Sequence, residues 1–121
     1  MNQKSNKYNL EERTAKFGES IIIFCKGLKI DTILNPLVNQ LVSSATSIGA
    51  NYMEANGGSS KKDFQNKIFI GKKEAQETKH WLRMIAVCRE DKKEEIRILW
   101  IEAQELTVIF QKITSSLRGK V

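Results

Sequence analysis

The chain has 121 residues, 40% of them apolar and 28% charged, which gives room for one domain with a real core. One proline and seven glycines argue against an all-β fold, whose many turns need such breakers. The net charge of +6 suits an anionic partner but is also ordinary for a small soluble domain.

The first predicted helix spans 9–28. Leu10, Thr14, Phe17, Ile21, Phe24 and Leu28 follow one another at steps of four and three, and Gly27 stands near the end. The second spans 36–56 on Leu34, Val38, Leu41, Ala45, Ile48 and Tyr52. Asn35 offers an N-cap there and Pro36 a first helical residue that loses no hydrogen bond. Gly57-Gly58 reads as its C-cap, with a positive φ at Gly57. The third helix, 61–89, carries Phe64, Ile68, Gly71, Ala75, Thr78, Leu82 and Ile85 behind a Ser60 cap three residues before Asp63. The fourth, 92–117, carries Ile96, Leu99, Ala103, Leu106, Phe110, Ile113 and Leu117. Asp91 and Glu94 have the spacing of a capping box before it. Short connections force antiparallel neighbours. The expectation is an all-α, up-down-up-down four-helix bundle over 9–118, with residues 1–8 disordered.

Residues 31–58 carry two acidic and no basic side chains. A helix so nearly neutral should be buried on most faces, and one small bundle leaves each helix one wet face. Ile22, Ile23, Leu37, Val42, Phe69, Trp81, Met84, Trp100, Ile101, Val108 and Ile109 add apolar surface beyond the four seams. Both features point to a homo-oligomer. Residues 32–53 are uncharged and long enough to cross a membrane, but Asn35, Pro36, Asn39, Gln40, Asn51 and a cluster of hydroxyls defeat that reading. The N-terminus shows no apolar leader, so Cys25 and Cys88 read as free thiols in a cytoplasm. One histidine and two cysteines without ligand spacing give no metal site, and no cofactor is expected.

The stretch GGSSKK, 57–62, raises the question of a phosphate loop. A Walker loop needs spaced glycines after a strand. Here the glycines are adjacent and follow a helix, so a turn between helices is the better reading. The sequence ATSIGANYMEANGGSSKKDF, continued by KIFIGKKEAQETKHWLRMI, resembles the bacterial four-helix-bundle family encoded in intervening sequences of 23S ribosomal RNA genes. That family includes the accessory protein of diversity-generating retroelements. Ser44, Ser47, Ile48, Asn51, Glu54, Gly57, Ser60, Lys62, Asp63 and Phe64 fit its pattern. The resemblance implies a ring-like homopentamer and, from the retroelement member, nucleic acid and a reverse transcriptase as possible partners. Family members usually carry arginine where this chain has Gly58, so an anion contact made by that arginine would be lost here.

His80 reads as half of a helix-face pair with Glu77, and Cys88 sits near a helix C-terminus, which disfavours a thiolate. No enzyme is expected. Ser47, Asn51, Glu54, Ser60 and Asp63 are the polar residues of the family pattern. Asn51 and Glu54 read as hydrogen-bonded ties to backbone or to a subunit, the alternative being that they line a pocket or pore. Lys61, Lys62, Lys67, Lys72, Lys73, Lys79 and Arg83 are the nucleic-acid candidates, with Lys72, Lys79 and Arg83 in one helical row. Without a strand platform of aromatics, binding should be weak, sequence-indifferent and directed at duplex or structured RNA. The expected function is a non-enzymatic oligomeric scaffold with such binding. The alternative is a structural or protein-binding oligomer with no nucleic-acid role.

Overall fold

The computed structural model describes residues 10–58 and 60–119. Among them stand four α-helices and no strand: α1 (Leu10–Lys26), α2 (Leu34–Asn56), α3 (Lys61–Cys88) and α4 (Lys93–Gly119), the last preceded by a 3-10 turn at Glu90–Lys92. The expected disordered segment 1–8 lies outside the described residues.

The seams legible in the sequence are the core. Ile21, Leu34, Leu41, Ile48, Ile68, Leu82, Ile85, Leu106 and Phe110 are fully buried. Each such side chain contributes about 1.5–3 kcal/mol relative to exposure. α1 packs along α2, α2 along α3 and α3 along α4, whereas α1 meets α4 over a much narrower front. Polar pairs mark the register. Thr78 and Ser44 hydroxyls lie 3.0 Å apart in the buried α2–α3 contact. Lys72 Nζ donates to Gln111 Oε1 at 2.8 Å and Lys79 Nζ to Gln104 Oε1 at 2.5 Å. Across the narrow α1–α4 front, Arg13 grips Glu102 with Nε and Nη2 at 2.7 and 2.9 Å and reaches Glu105 at 2.6 Å.

Gly71 sets how closely α3 and α4 approach. A Cβ there would stand 2.9 Å from Phe110 Cδ2 and nearer still to Cε2, so the ring occupies the space a side chain would need. A milder version joins α1 to α2, where a Cβ at Gly49 would stand 3.2 Å from Thr14 Oγ1.

Three local expectations need correction. α2 starts at Leu34, two residues early, and Asn35 is inside it. Asp31 caps instead: its Oδ1 accepts from the N–H groups of Ile33 and Leu34 at 3.1 and 2.8 Å. Pro36 then still falls in the first turn, where its missing N–H costs nothing. At α4 the Asp91 carboxylate is taken by Arg89 at 2.8 and 2.9 Å, and the helix begins through the 3-10 turn. That hydrogen bond, with the charge behind it, holds Asp91 below the ordinary aspartate pKa. Gly57 has φ −93° and ψ 3°, not a positive φ. α2 unwinds through a tight bond from the Gly58 N–H to Ala55 O at 3.2 Å, which needs no left-handed residue. The Ser60 cap is as expected, its hydroxyl accepting from the Asp63 N–H at 3.0 Å.

α2 is not covered on all faces within one chain. Asn39, Gln40, Ser43, Ala50 and Met53 are exposed, so its neutral side shows solvent polar and small residues together with one large apolar side chain, Met53.

Candidate nucleic-acid interface

The sequence candidates on α3 separate into two groups. Lys61, Lys62, Lys73 and Arg83 are exposed. Lys67, Lys72 and Lys79 are half-buried and partnered. Lys67 Nζ pairs with Glu54 Oε1 at 2.7 Å across the α2–α3 contact. Lys72 and Lys79 bond to the α4 glutamines Gln111 and Gln104, and each also lies over an aromatic ring. Lys72 Nζ is 5.4 Å from the centroid of Phe69, and Lys79 Nζ is 5.3 Å from that of Trp100. Both distances fall within cation–π range. Phe69 and Trp100 are 51% and 38% exposed, high for residues of this size.

These groups form one strip along α3 and α4. Heptad spacing on α3 brings Phe69, Lys72, Gln76, Lys79 and Arg83 to one side, and the bonds to Gln104 and Gln111 show which side of α4 faces them. Gln65, Asn66, Phe69, Lys72, Thr114 and Leu117 line a groove of about 250 Å³ at one end of the strip. The sequence reading found the cations of this strip but missed Phe69 and Trp100 as their companions. Spacing on α3 alone exposes the Phe69–Lys72 step, but the partnership of Lys79 with Trp100 depends on how α4 is rotated against α3.

The polar residues of the family pattern make local bonds. Asn51 Nδ2 donates to Ser47 O at 2.8 Å within α2, and Glu54 holds Lys67. Ser60 caps α3, and Asp63 supplies the N–H it receives. His80 stacks edge-on against Trp81 with centroids 4.8 Å apart. Burial, and then the neighbouring Glu77, raise the pKa of Glu74, against the pull of Lys73. Among the described residues no cluster of His, Cys, Asp or Glu is placed to hold a metal ion, and no helix is long and apolar enough to cross a membrane.

The family model of the 23S rRNA-intervening sequence protein matches residues 6–114, and the chain belongs to that family. No curated protein matches it. Among solved structures it is similar to a protein of unknown function from the S23 ribosomal protein family of Bacteroides thetaiotaomicron. The identity is 28% and the TM-score 0.76, over 86% of this chain and 96% of the other.

Proposed function

We propose that the chain is a non-enzymatic, cytoplasmic scaffold that assembles with itself, as an up-down-up-down bundle in a ring of five, and holds nucleic acid weakly through its basic surface. The self-assembly rests on the α1–α4 seam. Ile23 and Ile98 are 70% and 62% exposed there, beside half-buried Phe24 and Leu99, around an open groove of about 430 Å³. Ile101 and Val108 extend the apolar stripe along α4, each about two-fifths exposed. Large apolar side chains exposed together in this way are commonly an interface. The antiparallel order is supported by contacts that step backward along α4 as they step forward along α3, from Lys72–Gln111 to Lys79–Gln104. The number five comes from the family resemblance.

The decisive experiment is light scattering of the purified chain at micromolar concentration. A mass about five times 13.8 kDa supports the ring, and a monomer that persists at high concentration overturns the scaffold reading. The nucleic-acid half rests on Lys61, Lys62, Lys73 and Arg83, which point to solvent, and on the net charge of +6 that assembly multiplies. A reverse transcriptase is the protein partner that the resemblance suggests. Co-purification with one from the same genome would test it.

A further inference from the structure

We propose that the α3–α4 strip binds single-stranded nucleic acid in preference to duplex, by stacking unpaired bases on Phe69 and Trp100 while Lys72 and Lys79 contact the phosphates. This rests on the nucleic-acid half of the function proposed above, shares Arg83 with it, and assigns the contact to one face and one form of ligand.

Four observations converge. Each exposed ring has a lysine beside it, and each lysine is held in place by a glutamine of α4. Stacking the flat π-face of a base on a ring and pairing its phosphate with an ammonium is the chemistry by which single strands are held without regard to sequence. Secondly, acid is scarce on the strip, where Glu94 pairs with Arg97 at 3.4 Å. The row Gln65, Phe69, Lys72, Gln76, Lys79, Arg83 on α3 and the row Arg97, Trp100, Gln104, Gln111 on α4 contain no carboxylate. The glutamates of α4 that pair with Arg13 lie toward α1 instead. Thirdly, the amides of Gln65 and Asn66, which line the groove beside Phe69, supply donors and acceptors that tolerate any base edge. Finally, the geometry favours a flexible ligand. In the register set by the lysine–glutamine bonds, Trp100 lies level with Arg83, fourteen residues beyond Phe69 along α3, or about 21 Å. A single strand can follow that shallow line and turn bases down onto both rings. A duplex keeps its bases stacked inside and would use only the cations.

The test is fluorescence anisotropy with labelled oligo-dT, oligo-U and a DNA duplex of equal length, at about 50 mM salt, with intrinsic tryptophan emission recorded in parallel. Trp81 is half-buried and Trp100 is the more exposed ring, so a bound strand should quench Trp100. The wild type is expected to bind the single strands at least fivefold more tightly than the duplex, with quenching. Trp100→Ala and Phe69→Ala should each weaken single-strand binding about fivefold or more and leave duplex binding unchanged. Circular dichroism and light scattering confirm that each variant keeps its fold and mass. Trp100→Phe, which keeps a stacking face, should restore most of the affinity. Equal binding of both forms without quenching overturns the stacking site while leaving electrostatic binding intact. No binding to either form overturns both. A variant that keeps its nucleic-acid affinity but loses its oligomeric mass shows that the strip is an interface between copies, and also overturns the proposal.

Discussion

Gly71 is the residue whose side chain the fold most clearly forbids. The Phe110 ring fills the space where a Cβ would stand, and it belongs to the fully buried core of α4, which has little room to retreat. Gly71→Ala should therefore destabilise the fold by about 1–3 kcal/mol, read from chemical denaturation, although alanine is the better helix former. Gly57→Ala should do the reverse. With φ at −93° and no close neighbour, alanine there should be neutral or stabilise by about 0.4–1 kcal/mol. The two thiols differ in the same way. Burial pushes Cys25 up to about 11 from an ordinary 9.0, whereas Cys88 is exposed. In the native protein a thiol reagent near pH 8 should label Cys88 quickly and reach Cys25 only after unfolding. The folded chain keeps the Cys25 proton that the unfolded chain loses above pH 9, so this residue withdraws stability as pH rises from about 9 to 11. Cys25→Ala should flatten that part of the stability profile.

At the scale of the helices, the apolar periodicity carried most of the fold. The seam read at steps of four and three is the buried side of each helix, because a small bundle has few other ways to hide leucine and isoleucine. The ends were less legible. Asn35 before Pro36 has the sequence of a cap, yet Asp31 reaches two N–H groups first, and Asp91 is drawn off by Arg89. Both outcomes depend on loop conformation, which no local pattern records. Asp31→Ala should accordingly cost about 0.5–2 kcal/mol, and Asn35→Ala much less, in thermal denaturation. The α3–α4 strip was half legible for a related reason. Lys72, Lys79 and Arg83 share a row by spacing alone, but Trp100 joins them only through the rotation of α4, which packs on α3 where Phe110 meets Gly71.

At the scale of the whole molecule, the chain leaves its first and last helices incompletely joined. Arg13 with Glu102 and Glu105 is the polar clasp across that front, about one-third exposed at both Arg13 and Glu102. A pair so placed contributes about 0.5–1 kcal/mol, so Glu102→Gln should lower stability modestly and the difference should shrink in high salt. Ile23→Glu with Ile98→Glu should act on assembly instead. If the α1–α4 seam joins copies, this double variant sediments as a smaller species with its helix content intact. Removing the strip's rings by Phe69→Ala and Trp100→Ala should leave that mass unchanged, which separates the two surfaces.

The narrow front between α1 and α4 has a kinetic side as well. α1 has 17 residues against 23 to 28 for the others, and it leans chiefly on α2. Such a helix is the unit that lifts away first, so its amides should exchange with deuterium through a sub-global opening while those of α3 wait for complete unfolding. In a ring, the same helix would be pinned by its neighbour. Deuterium uptake in α1 would then slow as protein concentration rises, and the first helix would become a built-in reporter of whether the assembly has closed.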